Sequence, residues 1–70
     1  MIKLNSINSL VRIGGQKYIC EVKFEYKKGQ PESVKILSIT SNSKNIVVGK
    51  ERENKIMADI HNYLADEGGI

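Results

Sequence analysis

Cysteine, histidine and proline occur once each in this chain, acidic residues are sparse before residue 50, and no apolar run is long. Each shortage excludes something. A lone Cys20 cannot close an internal disulfide or supply a CxxC zinc knuckle, so the usual staples of a small domain are missing and a reducing, cytoplasmic setting is expected. No segment approaches the ~20 consecutive apolar residues of a membrane helix. The start, Met1-Ile2-Lys3-Leu4-Asn5-Ser6-Ile7-Asn8, lacks the continuous apolar stretch of a signal peptide, so no membrane partner is expected either. His61 has no acidic or cysteine neighbour at a metal-ligand spacing, and Gly14-Gly15 lacks the lysine and helix start of a phosphate-binding loop. The expectation is a chain with no catalytic residue, no metal and no cofactor: not an enzyme.

What is present is a strict alternation. From Lys17 through Tyr18, Ile19, Cys20, Glu21, Val22, Lys23, Phe24, Glu25 and Tyr26 to Lys27, apolar and charged residues take turns, as a strand with one dry and one wet face requires. With 40% hydrophobic and 27% charged residues the chain is too apolar to be disordered, and its 70 residues hold one domain, 1–70, with one thin core.

Glycines at 14 and 15 tolerate the positive φ of a two-residue hairpin turn, which pairs Val11 with Tyr18, Ser9 with Cys20, Ile7 with Val22 and Leu10 with Ile19. Arg12 then opposes Lys17, an unfavourable contact. A second hairpin turns through Lys28-Gly29-Gln30-Pro31, and cross-strand complementarity sets Lys28 against Glu32, Tyr26 against Val34, Glu25 against Lys35 and Phe24 against Ile36. In that register Ser38 and Thr40 continue the inner face while Leu37 and Ile39 point outward. A bulge near Ile36-Leu37 would instead turn the apolar residues inward.

Ser41-Asn42-Ser43-Lys44-Asn45 reads as a turn and Ile46-Val47-Val48 as a candidate fourth strand. From about Lys50 the period lengthens: Ile56, Met57, Ile60, Tyr63 and Leu64 form one stripe of a helix ended by Gly68-Gly69, and its N-cap is weak. The fold expected is α+β, an antiparallel three- to four-stranded sheet packed on one face by a C-terminal helix. Three strands and a helix resemble the element order of the arm-binding domains of phage integrases and, with a leading helix added, of double-stranded-RNA-binding domains. The lysine cluster that opens the last helix of the RNA domains is replaced here by the charge-balanced Lys50-Glu51-Arg52-Glu53.

Charge is divided unevenly. Residues 1–50 carry nine Lys/Arg against three Glu, and residues 51–70 carry two against five Asp/Glu, within a total of +3. One helical stripe can dry only one sheet face, so Tyr18, Phe24 and Tyr26 are expected in the core. The face left open carries Arg12, Lys17, Lys23, Lys27 and Lys35 beside an apolar patch of Leu10, Ile19, Leu37 and Ile39. Apolar residues rimmed by one sign of charge mark an interaction surface. The expected function is a small accessory, inhibitor or adaptor module that binds another, acidic protein or a second copy of itself. The alternative is a nucleic-acid-binding domain using the basic sheet face, with weak and non-specific affinity.

Overall fold

The computed structural model describes residues 1–68. Strands β1 (Ile2–Ile13), β2 (Gln16–Lys27), β3 (Gln30–Ser41) and β4 (Lys44–Asn45) form one antiparallel sheet in chain order, and helix α1 (Lys50–Glu67) packs on one face of it. The first hairpin has the expected register at Val11–Tyr18, Leu10–Ile19, Ser9–Cys20 and Ile7–Val22, and the ladder runs well past those pairs, from Ile13 opposite Gln16 to Ile2 opposite Lys27. Gly14 (φ 58°) and Gly15 (φ 81°) both occupy the left-handed region, so the turn twists with the strands it joins.

The second hairpin departs from expectation at both ends. Its turn is the tighter Lys28-Gly29, closed by Lys27 opposite Gln30, so Lys28 does not face Glu32. Pro31 has no N–H and cannot continue the ladder. The Ser33 hydroxyl bridges the irregularity, accepting from the Lys27 N–H at 2.7 Å and donating to the Gln30 carbonyl at 2.6 Å. Glu25 opposite Lys35 and Phe24 opposite Ile36 hold as expected, and Tyr26 and Val34 are both buried although they fall outside the regular ladder.

A bulge follows at once. Phe24 pairs with Ile36 but Lys23 pairs with Ser38, leaving Leu37 as the extra residue on β3. The slip carries Ile39 to the inner face opposite Val22, where it is only 9% exposed, while Ser38 and Thr40 take the outer positions opposite Lys23 and Glu21. Ile39 therefore belongs to the core and not to the outward patch. The fourth strand exists but at Lys44–Asn45 instead of Ile46–Val48; Ile46 only extends it with an N–H bond of 2.8 Å to the Ile39 carbonyl.

The dry face is the expected one. Cys20, Val22, Phe24 and Tyr26 from β2 meet Ile56, Ile60 and Leu64 from α1, with Val11, Val34 and Ile39 at the flanks; Tyr18 and Ile36 are half-buried beside them. The helix begins without a side-chain cap at Gly49, and Gly68 (φ 74°) ends it by donating to the Ala65 carbonyl. The second glycine of the expected stop, Gly69, lies outside the described residues. Two side-chain bonds fasten the helix across the sheet. Ser9 on β1 donates to the Asp59 carboxylate at 3.1 Å, and His61 Nε2 lies 3.0 Å from the Pro31 carbonyl, an acceptor that requires the proton on that nitrogen. Arg52, Lys55 and Ile56 lie beside Val11 and Arg12, so the helix runs from the Gly14-Gly15 end of the sheet toward the Lys28-Gly29 end.

Truncating fully buried Phe24 to alanine should cost about 3–5 kcal/mol, a large share of what so small a domain has, whereas Lys23→Ala on the opposite face should leave a urea melt nearly unchanged. The β3–β4 turn supplies a second expectation, because Asn42 (φ 52°) and Ser43 (φ 65°) both sit in the left-handed region without being glycine. Ser43→Gly creates the preferred Asn-Gly pair and should raise the urea midpoint, by up to about 1 kcal/mol of stability.

Candidate functional site

The helix covers one face of the sheet, and the other remains open. Leu10 and Ile19 are direct cross-strand partners on it, 59% and 71% exposed, with Arg12 opposite Lys17 at the adjoining position. Leu37, placed there by the bulge, is 49% exposed. Lys23, Lys27 and Lys35 lie on the same face, with Glu25 opposite Lys35 and Glu21 3.9 Å from the Lys23 ammonium. Both members of that ion pair are well solvated, so it organises the surface without stabilising it much. Eight of the nine residues expected at the site are thus brought to one surface. The ninth, Ile39, is not.

Two further residues join them. Leu4 is 73% exposed and Ile2 is also exposed, both on the outer face because β1 is a strand from its second residue. Their signal was the even-numbered alternation Ile2, Leu4 and, after two polar steps, Leu10. The polar Ser6 and Asn8 between them hide it. The open face therefore holds two apolar clusters. Leu10 and Ile19 form one, beside Arg12 and Lys17; Leu4 and Leu37 flank Lys23 in the other, with Ile2 beyond.

Among the described residues no three His, Cys, Asp or Glu side chains gather where they could hold a metal ion, and His61 is engaged by a backbone carbonyl. A concavity of about 480 Å³ at one sheet end, between Ile13, Tyr18, Asn42 and Ile46, has Lys44 as its only charged wall residue. No described helix is long and apolar enough to cross a membrane. Comparison with protein-family models, curated proteins and solved structures finds nothing that matches the chain.

Cys20 is fully enclosed between the sheet and the helix, and burial pushes its thiol above the usual range because the thiolate would lose its hydration. A raised value in the folded state means that this group favours folding below the unfolded thiol's pKa, and that the contribution fades as pH climbs through the folded one. Folded protein should therefore resist a thiol reagent such as dithionitrobenzoate at neutral pH, react stoichiometrically once urea unfolds it, and lose stability on alkaline titration. A Cys20→Ala variant should show a weaker alkaline decline.

Proposed function

We propose that the chain is a non-catalytic protein-binding module, a small accessory or adaptor domain whose open sheet face docks an apolar, acid-rimmed surface of another protein. The observation that carries this reading is the gathering of Ile2, Leu4, Leu10, Ile19 and Leu37, all large and exposed, on the face the helix leaves uncovered. Apolar side chains supply the affinity of such a contact by leaving water. The surrounding Arg12, Lys17, Lys23, Lys27 and Lys35 choose an acidic partner and speed encounter.

Phosphate binding would need the same cations, and sheet-based single-strand binding would need aromatic platforms as well. Phe24 and Tyr26 lie buried on the far face instead, and half-buried Tyr18 bonds its hydroxyl to Gln16.

Ile19→Lys and Leu37→Lys should preserve the circular-dichroism spectrum and abolish capture of a partner from a lysate of the source cell. Ile39→Lys should unfold the chain, since its charge would lie against Val22 in the core. Binding that changes little between low and physiological salt accords with an apolar-centred contact. Tight retention of DNA or RNA at physiological salt, weakened by charge reversal at Lys23 and Lys35, would replace this reading with the nucleic-acid one.

A further inference from the structure

The two edges of the sheet are unequal. β4 offers two residues, too few to template another strand, whereas β1 leaves one side of a twelve-residue strand without a neighbour. Monomeric proteins usually blunt such an edge with proline, a bulge or a charge in mid-strand. β1 carries none of these. Its register with β2 is unbroken, it contains no proline, and no charge stands between Lys3 and Arg12.

Which backbone groups are free follows from the first turn. A two-residue hairpin closes on a hydrogen-bonded pair, here Ile13 with Gln16, so odd-numbered residues of β1 turn N–H and C=O toward β2 and even-numbered ones turn them outward. Bonds elsewhere obey the same parity. The Ile19 carbonyl accepts from Ser41 Oγ on the β3 side of β2, and the Lys27 N–H donates to Ser33 on that side too. At the open edge, the Ser6 N–H is met only by its own neighbour's exposed side chain, Asn5 Oδ1, at 2.8 Å, a local bond that a pairing strand replaces with a backbone carbonyl.

We infer that β1 pairs antiparallel with β1 of a second copy, about a two-fold axis at Ile7. This inference rests on the strand edge and not on the open face proposed above as a docking surface. Paired residues must share a face, and a centre at Ile7 engages the strand from Ile2 to Arg12. Leu4 then stands opposite Leu10 of the other copy, twice, joining the two separate apolar clusters of the open face across the junction. Ser6 meets Asn8, and Ile7 meets its own counterpart. Moving the centre to Ser6 or Asn8 separates the leucines, setting Leu4 against Asn8 or Arg12.

Charge also fits. Arg12 falls opposite Ile2, so no like charges meet on the outer face. On the helix side Lys3 and Asn5, which α1 leaves exposed, come opposite Val11 and Ser9 of the other copy, beside the Asp59 carboxylate that Ser9 holds. Arg52 and Lys55 line the same groove, so the attraction is local and its salt dependence shallow. Both long edges are consumed in the pairing, and the assembly closes at two copies.

Sedimentation over a wide concentration range should show a monomer–dimer equilibrium. Asn8→Pro deletes an N–H that faces away from β2, and should give a folded monomer at every concentration; Ile7→Pro deletes one that faces β2, and should unfold the chain. Ile7→Cys in a Cys20→Ala background should form a disulfide-linked dimer under mild oxidation, because a non-hydrogen-bonded pair sets its Cα atoms about 4.5 Å apart. Wild-type protein that is monomeric throughout overturns the inference. So does a dimer that survives Asn8→Pro, and if Ile19→Lys then dissolves it the contact lies on the open face, whose occupant is then a second copy and not another protein; a wild-type monomer leaves the proposed function untouched. Should Asn8→Pro fail to fold, the cross-link decides, and its absence counts against the pairing.

Discussion

A single amphipathic helix can dry only one face of a sheet, and everything else about this molecule is arranged around that limit. The alternation on β2 decides which face is offered, and Ile56, Ile60 and Leu64 are spaced to meet it. Once Phe24 and Val22 are committed inward, Ile19 and Lys23 have no choice but to face water. The surface available for binding is thus a remainder, set by what the core requires.

Much of this arrangement was legible because the first hairpin is over-determined: two glycines fix the turn, and one slip would expose Val22. The β3 strand is different. Ile36, Leu37 and Ile39 are of similar size and hydropathy, so no pattern of apolar and polar residues could say which of them the bulge would set aside. Ile39 was therefore expected outside and lies inside. The open face lost one member through that ambiguity and gained Ile2 and Leu4, whose alternation is interrupted by Ser6 and Asn8. The fourth strand starts before the residues that suit it by composition: Ile46 and Val48 have the side chains of a strand, but the turn at Asn42-Ser43 arrives early enough to pair Lys44 and Asn45 first.

The polar contacts have a common logic. Where a backbone interruption or an open edge leaves groups without a strand partner, a short side chain supplies one, as Ser33 does beside Pro31 and Asn5 does for Ser6 at the edge of β1. Charged groups are kept out of the core, and the one buried polar side chain of the described residues, Ser9, is satisfied by Asp59. The helix, lacking a capped start, owes its placement to such contacts and to its apolar stripe.

The bond between Ser9 and Asp59 joins residues fifty positions apart, whereas every strand of the meander pairs with its immediate predecessor. Neighbouring hairpins close short loops and form quickly, while contacts of high sequence separation carry the loop-closure entropy of the whole intervening chain. During synthesis the meander precedes the segment that covers it. Its dry face, with Phe24 at the centre, stays wet until α1 has emerged and crossed the sheet, so the core is complete only when the last element of the chain is in place.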